Sequence, residues 1–211
     1  MTPDIETRLQ LATERFQQLE AEISAYLAKA SNSTTFDLVP ETMMVSFSTR
    51  PIEPPPPRLA ALIGEVLYHL RSALDFAVFV SAFLDTGEEK SDTQFPIVTV
   101  ESEWDTQAKR RIKYLSPERQ HVICLLQPFS GQKWTERLQQ LSNPDKHRRL
   151  NAVALDAEHT LTIKRTDEGF ETDFTPKVVL TFDDGYDVLS SLKELLEKVR
   201  EAVEEVLNPR S

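Results

Sequence analysis

The side chains best suited to chemistry lie between Leu138 and Leu155, in the run Leu-Gln-Gln-Leu-Ser-Asn-Pro-Asp-Lys-His-Arg-Arg-Leu-Asn-Ala-Val-Ala-Leu. Asn143, Pro144 and Asp145 spell a helix start: a capping amide, a proline at the first helical position and a carboxylate at the positive end of the dipole. From there His147, Leu150, Asn151 and Ala154 recur at i, i+3, i+4 and i+7 and so share one helical face. His147 then points with the apolar stripe, where desolvation and the dipole both lower an imidazole pKa. A neutral imidazole at pH 7 suits either acid–base work or a structural hydrogen bond. Lys146, Arg148 and Arg149 spread over the flanks.

A second set of polar groups interrupts the most apolar stretch, Leu59 to Leu84. These are His69, Arg71 and Asp75. Charges in such a segment need partners, because an unpaired buried charge costs several kcal/mol. Arg71 and Asp75 stand four apart and can pair, although an acid C-terminal to its base is the weaker order. They form either an ion pair at the edge of a core or part of one site with His147.

Two functions fit these residues. In the first, Arg71, Asp75, Asn143, Lys146, His147 and Arg148, with His69 nearby, hold an anionic ligand such as a phosphate or carboxylate, without catalysis. In the second, a metal-independent ribonuclease, His147 moves the proton of a ribose 2′-hydroxyl. Arg71 and Lys146, or Arg148, then stabilise the charge developing on phosphate. No metal or cofactor is expected: no His, Asp and Glu set has ligand spacing, and neither a glycine-rich phosphate loop nor a nucleophile elbow is present.

Composition narrows the classes further. A net charge of −10 argues against nucleic-acid binding by the whole surface, but it leaves room for a local basic site that could take RNA. Basic residues cluster at Lys109 to Lys113 and at Lys146 to Arg149. Cys124 is the only cysteine and lies in the apolar run Val122 to Leu126, as a small buried hydrophobe would. Asp4 and Glu6 argue against a signal peptide. The nearest approach to a membrane span, Ala73 to Leu84, is interrupted by Asp75 and Ser81. The expectation is a cytoplasmic protein with no membrane partner.

The elements that must position these groups follow from periodicity. Ile5, Leu9, Ala12, Phe16, Leu19, Ile23 and Tyr26 form a heptad seam, which predicts a long helix over 3–30. That seam can pack within the chain or form a homodimer through helices. Residues 36–57 read as an extended, proline-rich connector, and 58–155 as the helical core. Within the core, helices are expected over Leu59–Leu84, over Glu103–Tyr114 with Ser102 as cap, from Pro117 to Leu126 with Ser116 as cap, and over Lys133–Leu141. The period then changes to that of a small sheet over 159–182, with strands His159–Arg165, Phe170–Phe174 and Val178–Phe182 and a break at Pro176. Asp183-Asp184-Gly185 reads as a polar turn before a last helix over 186–207. The fold class is mainly α with a small antiparallel β element, a single-domain helical bundle built on two long helices.

Three stretches, Gly64 to Asp75, Gln94 to Ile97 and Leu138 to Arg148, resemble an uncharacterised family of bacterial helical proteins. That family often has Asn where His69 stands and His where Phe76 stands. More loosely, the long helices resemble the HEPN group, which implies a defence or stress context and ribonuclease activity. Its signature is an Arg followed after four to six residues by a His. His69, His121, His147 and His159 each lack an arginine five to seven positions upstream, so the activity does not carry over by motif.

Overall fold

A computed structural model of the chain describes residues 2–31, 34–39, 42, 44–49, 53–146, 153–166 and 169–209. Three long helices make the body. α1 spans Pro3–Ser31, α2 spans Pro57–Thr86 and α7 spans Val188–Leu207. Between α2 and α7 come the short α3 (Trp104–Gln107), α4 (Lys109–Ile112), α5 (Pro117–Leu125) and the longer α6 (Lys133–Lys146).

The heptad seam of α1 is satisfied within the chain. Ile5, Leu9, Ala12, Phe16, Leu19 and Ile23 are buried in the same core as α2. The two helices run antiparallel, as the pairs Arg8–Phe76, Arg15–Glu65 and Glu22–Arg58 along their contact show. α7 runs parallel to α2 instead: Ser81 near the end of α2 donates to the carbonyl of Val206 at the end of α7, at 3.4 Å. α2 buries fourteen residues. It is, among the described residues, the one helix long and apolar enough to cross a membrane, and half of that apolar window is buried inside the bundle. Its apolarity is that of a central core helix packed on several sides.

Local signals account for the ends. Pro57 opens α2, and Gly87 closes it in the left-handed conformation at φ 74°. Ser116 caps α5 by accepting from the amide of Arg119. Asp187 caps α7 by accepting from the amide of Ser190 at 2.7 Å. The helix expected over Glu103–Tyr114 is instead three short pieces: a 3₁₀ turn at Glu101–Glu103, then α3 and α4 on either side of Ala108. Ser102 lies inside that turn, so it caps nothing.

The β content is two separate antiparallel hairpins. β1 (Thr34–Val39) pairs with β2 (Met44–Thr49), so the expected connector over 36–57 begins as a hairpin. β3 (Val153–Thr166) pairs with β4 (Gly169–Phe182) in one continuous register. Two long strands thus replace the three short ones expected. Pro176 stands opposite His159 without ending β4. In a two-stranded sheet each strand has a free edge, where a residue lacking an N–H loses no ladder bond. β1 and β2 join the end of α1 to the start of α2, and β4 leads into the start of α7.

Leu70 is fully buried in the core shared by the long helices. Leu70→Ala should cost about 2–5 kcal/mol, read as a lower urea midpoint with unchanged slope. Leu84→Ala, at a side chain left 59% exposed, should move stability by less than about 0.5 kcal/mol.

Candidate functional site

Arg71 and Asp75 do pair, Nη2 to Oδ1 at 3.3 Å. The intrahelical pair is only half of the arrangement, because both side chains reach the backbone of one residue in the segment that follows α2. Arg71 Nη2 donates to the carbonyl of Phe95. The amide of Phe95 donates to Asp75 Oδ1 at 3.0 Å. Phe95 itself is fully buried. The residue before a proline is held away from helical geometry, so Phe95-Pro96 must enter the core extended. With no neighbouring strand, its peptide groups need side-chain partners.

Gln127, fully buried, supplies the rest. The amide of Val98 donates to Gln127 Oε1 at 2.9 Å, and Gln127 Nε2 donates to the carbonyls of Pro96 at 3.1 Å and Ile123 at 2.8 Å. One primary amide therefore satisfies the segment on both sides of Ile97 and ties it to the last turn of α5.

The electrostatics of this corner are uneven. Only 11% of the Arg71 side chain is exposed. Burial pushes its guanidinium below the usual range, Asp75 opposes that shift, and the neighbouring Arg111 adds to it. Arg71 Nε is buried with no hydrogen-bond partner. Arg111 forms no ion pair among the described residues, and its carbonyl accepts from the amide of Gln94 at 3.4 Å.

The other expected site residues divide. His69 does not join Arg71 and Asp75, which corrects its place in the ligand set. Two residues of helix turn a side chain by about 200°, so His69 faces α1 instead. There its ring meets the edge of Tyr68 at 5.3 Å, and Nδ1 is buried with no partner. Burial first, then the charge of Arg8, hold its pKa below the ordinary value, against the attraction of Glu65.

Asn143 is not a cap. α6 runs unbroken through Asn143 and Pro144 to Lys146, so the helix expected to end at Leu141 continues. A proline this close to the end costs the helix only the bond to the carbonyl of Gln140. Ala154 and Leu155 belong to β3, so the helical face drawn from His147 to Ala154 is not continued. The side chains of Asn143 and Lys146, and all of His147 and Arg148, lie outside the described residues. Among the described residues no group of His, Cys, Asp and Glu gathers to hold a metal ion.

A further polar hub had no periodic signal. Arg119 Nη1 donates to the carbonyls of Val206 and Leu207 at 2.6 and 2.7 Å, and Arg119 Nε pairs with Asp85 at 3.2 Å. Asp85 also accepts from the amide of Ser116 at 2.7 Å. This cation satisfies the last carbonyls of α7 and joins three helices.

No family model, curated protein or solved structure matches this chain.

Arg71→Gln should cost about 2–4 kcal/mol in urea denaturation, since it leaves Asp75 and the Phe95 carbonyl without their cation. His69 carries a pH dependence of known sign. Its folded pKa lies below the unfolded value of 6.5, so acid protonates the unfolded chain first. The stability held by the neutral ring is complete above pH 6.5 and is lost as pH falls toward the folded pKa. His69→Gln should flatten that part of the stability profile, measured by denaturation between pH 7.5 and about 5.

Proposed function

We propose that this protein works by binding an anion at the Arg71 corner rather than by catalysis. The observation that carries this reading is the excess of positive charge there. Two guanidinium groups, Arg71 and Arg111, act on one another beside the Asp75 carboxylate, and Arg71 keeps one buried N–H without a partner. A phosphate or carboxylate would supply both the missing acceptor and the missing charge. What weighs against catalysis is that Arg71 and Asp75 already spend polar atoms on the peptide of Phe95. The ribonuclease reading needs His147 as its proton carrier, and His147 lies outside the described residues.

Inorganic phosphate, compared with chloride at equal ionic strength, should raise the melting temperature along a saturable curve. At ten times its dissociation constant the gain is about 1.4 kcal/mol, or roughly 3–6 °C for a chain of this size. Arg111→Gln leaves the Phe95 clamp intact and should reduce that gain severalfold. An unsaturable rise, or one that Arg111→Gln leaves unchanged, would remove the proposed site. RNA cleavage by the pure protein would favour the enzyme instead.

A further inference from the structure

A cavity remote in sequence from the Arg71 corner opens between α6, the turn after β4, and α7. It encloses about 350 Å³ and is lined by Trp134, Glu136, Arg137, Asp184, Tyr186 and Glu194, with Lys133 at its edge. The guanidinium of Arg137 lies over two rings, 5.1 Å from the centroid of Phe182 and 5.0 Å from that of Tyr186. Both oxygens of Asp184 face it: Oδ2 bonds to Nη1, and Oδ1 to Nη2 at 3.2 Å. The charge of Arg137 is thereby neutralised and its plane fixed.

The same turn fixes Tyr186. Its amide donates to Asp184 Oδ1 at 3.3 Å, and its carbonyl accepts from the amide of Phe182 at 2.9 Å. Gly185, at φ 83°, makes the reversal possible. Tyr186 nevertheless stays 65% exposed, while Phe182 is buried. A ring held in place by stacking on one face therefore presents its other face to solvent, and the faces of aromatic rings attract cations.

The charges around that ring point the same way. With Arg137 and Asp184 neutralising one another, the lining keeps two carboxylates, Glu136 and Glu194, against one ammonium, Lys133; Lys198, one turn along α7, also acts on Glu194. Glu136 accepts a hydrogen bond from Gln140, and neither carboxylate forms an ion pair among the described residues. A chain charge of −10 adds attraction at longer range. We infer that this cavity binds an organic cation of the guanidinium class, stacked on the outer face of Tyr186 and paired with Glu194. The mode repeats on the free face of Tyr186 the cation–ring contact that Arg137 makes with it. It is independent of anion binding at Arg71.

The test uses the full chain with Trp104→Phe, which leaves Trp134 in the cavity wall as the only indole. Its emission is followed on titration with acetyl-Gly-Arg-Gly-amide, with the citrulline counterpart (same shape, no charge) and with agmatine. The arginine peptide should give a saturable change, and citrulline should bind roughly tenfold more weakly. Tyr186→Ala and Glu194→Gln should each weaken binding by a similar factor, while Glu118→Gln on α5 leaves it unchanged. Agmatine binding as well as the peptide identifies a free small cation as the ligand. Preference for the peptide identifies an arginine side chain of a partner protein. No saturable change, citrulline equal to arginine, or Tyr186→Ala binding like its parent would each overturn the inference.

Discussion

A stretch of extended backbone buried in a helical protein is the constraint from which much of this fold follows. Phe95, Pro96, Ile97 and Val98 are all buried, and among the described residues no strand pairs with them. Every peptide group there has to be met by a side chain or left unsatisfied at a cost of about 1–3 kcal/mol. Three residues do this for Phe95, Pro96 and Val98: Arg71 and Asp75 of α2, and Gln127 two residues past α5. Charged groups within the most apolar helix are otherwise hard to explain. The weak i,i+4 order of Arg71 and Asp75 ceases to matter once both bond to Phe95, because the pair is oriented by a third party.

The same logic recurs at the C-terminal end of α2. α7 ends against the C-terminal part of α2, and its final carbonyls would face the core unpaired. Arg119 fills that place from α5, held in turn by Asp85 of α2. The two clamps, one on a segment and one on a helix end, tie α5 to α2 and α7 through hydrogen bonds. The apolar seam between α1 and α2 sets spacing and direction but has little to say about where short elements such as α5 dock.

Local rules read much of this from the residues alone. The seam of α1, the long apolar α2, the cap at Ser116 and the last helix all depend on neighbours within a few positions. The failures share a cause. Pro144 and Pro176 look like breaks because a proline loses a donor, yet the loss is small near a helix end and absent on the free edge of a two-stranded sheet. Arg71 and Asp75 were visible as a pair, but their common partner lies twenty or more positions away, where no periodicity reaches. Gln127 reads as a turn residue beside Pro128, and nothing local marks it as the donor and acceptor for two buried peptides. His69 seemed to share a site with Arg71 by closeness in sequence, and helical geometry sends the two to opposite sides of α2.

The two candidate sites show how one chain can hold charges of opposite sign without mixing them. At the Arg71 corner burial is deep and the surplus is positive, so the missing partner is an acceptor. At the α6–α7 cavity the central cation is already neutralised by Asp184, and the surplus is negative and open to solvent. A net charge of −10 acts differently on the two. It draws cations toward the exposed cavity, where long-range attraction raises encounter rates. An anion reaching Arg71 must cross a repulsive field, so its binding has to come from short contacts with Arg71 and Arg111. Added salt should therefore weaken association at Tyr186 while easing the approach of an anion to Arg71, a difference in sign that follows from where each surplus lies.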